Sequence, residues 1–138
     1  MMRRAATCCV LAVLTSGVMA QEQTAKPIAP IEYDTFCKLP DQDTKRAAFM
    51  ATTAENRATL VRTQLERWRD ANQTRLNDKQ KTSLAAVIKS ITSETYADGP
   101  QGEEARIKSR ALMTEFEPLF TRDELMAMQP NAPCIARK

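Results

Sequence analysis

Apolar residues in the middle of the chain return every three or four positions, and this spacing constrains the fold more than any other feature. Ala47, Met50, Ala54, Ala58, Val61, Leu65 and Trp68 follow it without a gap. A helix of 3.6 residues per turn gathers them on one face, whereas a strand would scatter them over two. The pattern predicts one long helix over residues 41–71, about 45 Å long, with Asp41 or Asp43 as its N-cap. Leu84, Val87, Ile88 and Ile91 set a second stripe, extended by Tyr96, in a helix over 76–97. Asn77 caps it and Gln80, three residues on, reaches back as a capping box. Asp98-Gly99-Pro100 is turn chemistry. A third helix is expected over 103–117, with Ala105, Leu112 and Phe116 inward and Ile107 and Met113 joining them. Glu103 and Glu104 suit its positive N-terminal end, and Pro118 stops it.

Thr121 and Glu124 form a second capping box, and Phe120 and Leu125 stand at the positions of a hydrophobic staple. They predict a short fourth helix from Arg122 to Met128. No segment alternates with period two for the length of a strand. The expected fold is therefore all-α: a small three-helix bundle with a short fourth C-terminal helix.

The N-terminus has a different character. Met1-Met2-Arg3-Arg4 is a positive start, residues 5–19 are apolar or small, and Val18-Met19-Ala20 resembles a processing site before Gln21. Residues 1–20 thus read as a cleavable signal peptide. An uncleaved anchor is the alternative, but the apolar run falls short of the roughly 20 residues a spanning helix needs. No stable membrane insertion is expected after cleavage, and the expected location is periplasmic or secreted. Without Arg3 and Arg4 the formal charge falls from +3 to near neutrality, which leaves no electrostatic footprint for nucleic acid. Residues 21–40 carry Pro27, Pro30 and Pro40 and read as an extended arm, with Ile28, Ile31, Tyr33 and Phe36 able to touch the core. Residues 41–138 are the helical domain.

Loss of the signal also removes Cys8 and Cys9. Cys37 and Cys134 remain, one before the first long helix and one after the last short one. In an exported chain two cysteines read as one disulfide, here joining the ends of the bundle. Free thiols and intermolecular pairing are the alternatives.

The chain contains no histidine, which excludes Ser-His and Cys-His catalysis and the usual zinc sites. It has neither a phosphate-cradling glycine loop nor a calcium loop. Asp41/Asp43, Glu103/Glu104, Glu115/Glu117 and Asp123/Glu124 are the candidate carboxylate pairs, and most sit where helix N-termini favour acids. No enzyme activity, cofactor or metal is expected. Arg57, Arg62, Arg67 and Arg69 alternate with Glu55, Glu66 and Asp70 and read as a solvated, ion-paired helix face. Trp68, Tyr96, Phe116 and Phe120 could line a ligand pocket, but at helical spacing they read as core. Leu125, Met126 and Met128 form the candidate partner-binding patch, because flexible methionine suits adaptable surfaces.

Two families resemble parts of the chain. Leu76-Asn77-Asp78-Lys79-Gln80 looks like the LTxxQ motif of periplasmic helical stress chaperones, with Asn in place of Thr. Phe120-Thr121-Arg122-Asp123-Glu124 is similar to a degenerate second copy. That resemblance implies a dimer that cradles unfolded clients without ATP, so a homodimer is among the expectations. The Cys37/Cys134 pair is not part of that pattern. The stretch from Leu76 to Met128 also resembles small exported proteins labelled bacteriocin fulvocin C-related. The shared features are the capped L-x-x-x-Q helix, the aromatic Tyr96 and the Leu119–Leu125 segment. The expected function is an exported, non-enzymatic helical protein that binds protein partners or unfolded clients. A bacteriocin-like or immunity protein is the alternative.

Overall fold

Local capping decides where each helix begins. The computed structural model describes residues 29–137, and the signal peptide expected over 1–20 and the first part of the arm lie outside them. The described residues are all-α, with six α-helices and no strand. They are α1 (Tyr33–Cys37), α2 (Gln42–Ala51), α3 (Ala54–Asn72), α4 (Asp78–Ser90), α5 (Pro100–Phe116) and α6 (Arg122–Ala127). Short 3-10 turns, Ser93–Tyr96 and Glu117–Leu119, follow α4 and α5.

The single helix expected over 41–71 is two. Thr52 and Thr53 are extended, and the Thr53 hydroxyl accepts from the Asn56 N–H at 3.1 Å to cap α3. A β-branched pair with a capping hydroxyl thus starts a new helix instead of continuing the old one. The break shifts the register of α2. Ala48 and Phe49 turn inward, whereas Ala47 and Met50, expected on the buried face, are exposed. The arm is likewise not extended throughout, because Tyr33–Cys37 makes a helical turn that buries Tyr33 and Phe36.

The second expected helix also stops early, at Ser90. The Ser90 hydroxyl donates to the Val87 carbonyl at 2.7 Å, and the Thr95 hydroxyl accepts from the Thr92 N–H at 3.2 Å. These side chains compete with the helical ladder and leave Tyr96 in a separate turn. Helix α5 starts three residues before its expected N-terminus. Gly99, at φ +82°, takes a conformation that favours glycine, and Pro100 follows in the first turn. Ile107, expected inward, is 55% exposed.

Both capping boxes form. Asn77 pairs reciprocally with Gln80, and Thr121 with Glu124. Hydrogen bonds from the Thr121 N–H and an ion pair with Arg75 hold the Glu124 carboxyl below the ordinary glutamate range.

Helix α3 packs on α4 and on the turn Ser93–Tyr96, and α4 packs on α5. Leu65, Trp68, Leu84, Ile88, Phe116 and Phe120 are buried together at this junction. A smaller cluster of Tyr33, Phe36 and Leu60 lies at the other end, packed against Cys37 and Cys134. These two cysteines are joined as expected, with Cα atoms 5.7 Å apart. Beside the bridge, Gln64 is fully buried. Its Oε1 accepts from the Tyr33 hydroxyl, and its Nε2 donates to the Ala127 carbonyl at 2.8 Å.

Candidate functional site

Helices that meet at an angle leave space where their small side chains face one another. One such space, about 390 Å³, opens between α2, α3, α4, α5 and α6. Val61 and Leu65 of α3 and Val87 and Ile91 around the end of α4 form its apolar walls. Phe49 comes from α2, and Met113 and Phe116 come from α5. Phe49 and Tyr96 meet edge to face across it, with ring centroids 5.8 Å apart. Burial against these walls raises the Tyr96 hydroxyl above the ordinary tyrosine range, although the Arg57 guanidinium opposes the shift. The polar atoms at the margin come from Ser90, Thr95, Ser109, Gln129 and Glu117. A concave, mainly apolar space with a few polar groups at its edge is the usual form of a binding site.

The expected patch of Leu125, Met126 and Met128 divides across this space. Met128 is only 5% exposed and belongs to the core, and Leu125 packs against the same cluster. Both line the cavity, whereas Met126 is 60% exposed on the other side of α6 and does not. A six-residue helix at a three- to four-residue repeat turns Leu125 and Met128 together and Met126 away. Of the other lining residues, sequence reasoning weighed Tyr96 and Phe116 for a pocket but read them as core, and it missed Phe49 and Ser109. The lining residues come from five separated segments, and no local spacing connects them.

The arginines of α3 do not form the solvated face that was expected. Arg57 donates to the carbonyls of Phe49 and Met50, the first at 2.8 Å, and so holds the end of α2. Arg62 donates to the Ile91 carbonyl at 3.2 Å. Arg67 lies 4.3 Å over the Tyr33 ring and bonds Asp34 and the Ile135 carbonyl, each at 3.0 Å. Only Arg69 makes the simple local pair, with Asp70.

The carboxylates are distributed among caps and helix-surface pairs. Asp41 accepts from the Thr44 N–H at 2.7 Å, which holds its carboxyl below the usual carboxylate range. Glu103 pairs with Arg106 and Glu104 with Lys108, and the latter contact holds the Glu104 carboxyl low. Among the described residues no three Cys, Asp or Glu side chains gather as a metal-binding group. No described helix is long and apolar enough to cross a membrane. No family model, curated protein or solved structure matches the chain.

Proposed function

We propose that this protein is an exported, non-enzymatic binding protein that holds apolar segments of protein partners or unfolded clients in the cavity beside Phe49 and Tyr96. The cavity itself carries this reading. Its walls combine aliphatic side chains, aromatic rings and two methionines, which can repack around different side chains. Burial of apolar surface is worth roughly 25 cal/mol per Å², so such a site can select for hydrophobicity without reading a defined sequence. The disulfide suits an oxidising compartment, in keeping with the export signal expected over 1–20. The resemblance of the Leu76–Gln80 segment to the chaperone motif points the same way.

Suppression of aggregation of a chemically unfolded client tests the proposal. Wild type is expected to suppress it. Ser109→Trp, which places an indole at the cavity margin, should lose most of that effect with its helical circular dichroism intact. A wild type without holding activity would sink the proposal, and a fully active Ser109→Trp protein would move the site elsewhere.

A further inference from the structure

The cavity does not end at Phe49. A second hollow of about 420 Å³ adjoins it, and the two share Phe49, Gln129 and Pro130 as a common ridge. The two hollows lie side by side across these three residues. Lys45, Arg46 and Met50 line the far end, with Met50 62% exposed. Neither basic residue forms an ion pair among the described residues, and no carboxylate lines that end. The charged residue lining the first cavity is an acid, Glu117.

Given the binding role proposed above, we infer that the occupant is an apolar peptide segment with acidic residues on one flank, which meet Lys45 and Arg46 while the apolar part enters the cavity beside Tyr96. Charge complementarity selects the acidic flank, since like charges at an interface disfavour the wrong partner. The groove margins favour a peptide over a hydrocarbon chain. The side chains of Ser109 and Gln129 offer donors and acceptors to a main chain, which loses water on entering and must replace those hydrogen bonds. An acyl chain would offer Ser109 and Gln129 no partner.

Three short synthetic peptides with the same Leu-Phe-Leu segment and acidic, neutral or basic residues on one flank test this, with dodecanoate as the lipid-like competitor. The acidic peptide should bind best in titrations followed by fluorescence anisotropy. Each exposed ion pair contributes about 0.2–1 kcal/mol, so the double reversal K45E/R46E should weaken it by about three- to tenfold. The same variant should gain affinity for the basic peptide. Such an exchange of preference would not follow from damage to the fold, and Arg46 is exposed and Lys45 half-buried on α2. Equal affinity for all three peptides would overturn the inference while leaving the binding role intact. Binding of dodecanoate without any peptide would replace the peptide by an anionic lipid. If client holding is lost as well, the parent reading fails with it.

Discussion

Glutamine side chains carry some of the longest-range connections in this small domain. Gln80 accepts from the Asn77 N–H at 3.0 Å within its capping box and donates to the Leu119 carbonyl at 2.9 Å. One residue therefore closes its own helix and ties it to the turn before α6. Gln64 does the same between Tyr33 and Ala127. Gly102 shows the opposite device, an absent side chain. It is buried where α5 passes the turn before it, and a Cβ there would stand 1.8 Å from the Ala97 carbonyl oxygen. At an exposed helical site Gly→Ala would stabilise by about 1 kcal/mol. At Gly102 the obstacle is backbone, so Gly102→Ala is expected to cost about 1–3 kcal/mol in urea unfolding. Unchanged or raised stability would show that α5 can move aside. The capping half of Gln80 was legible, because a box is a fixed local spacing. Its bond to Leu119 and the tight approach at Gly102 depend on which segments meet, and spacing does not encode that.

At the scale of elements, α2 differs from its neighbours. It contributes no buried residue, yet its Phe49 closes the cavity and its Lys45 and Arg46 line the outer hollow. Two extended threonines join it to α3, and the buried Thr52 hydroxyl has no hydrogen-bond partner. Arg57 supplies its main polar anchor. A helix so held should open at low free energy, in contrast to α3, which lies across the core. Amides of residues 46–52 should exchange with deuterium well before those of 60–68. Hydrogen bonds to charged groups contribute about 1.5–3 kcal/mol, so Arg57→Ala should speed α2 exchange at least about tenfold and leave α3 nearly unchanged. Exchange of α2 at the rate of α3 would contradict this picture. The periodicity missed the break because Met50 and Ala54 continue the three-and-four spacing through it. The contrary signal was present, since Thr53 stands three residues before Asn56 in a capping arrangement.

For the molecule as a whole, the question is how much of the closed form depends on the Cys37–Cys134 bridge. The all-α class and the disulfide were legible from periodicity and cysteine count, whereas the cavity was not, because five segments build it. The bridge closes a loop across a sequence separation of 97. Loop-closure entropy assigns such a crosslink about 4–5 kcal/mol, as an upper figure. The same two ends are also held without it. Tyr33 bonds Gln64, the Ile135 N–H donates to the Tyr33 hydroxyl at 3.3 Å, and Arg67 spans Asp34 and the Ile135 carbonyl. The larger core around Leu65, Leu84 and Phe116 lies apart from the bridge. The double variant Cys37→Ser/Cys134→Ser should therefore keep its helical circular dichroism at 25 °C. Its melting temperature should fall by about 15–30 °C, from the usual relation between stability and Tm in domains of this size. Binding at the groove should survive at low temperature, because none of its lining residues is a cysteine. An unfolded variant at 25 °C would show that the Tyr33–Gln64–Arg67 contacts cannot hold the ends alone. An unchanged melting temperature would show that they already do so without covalent help.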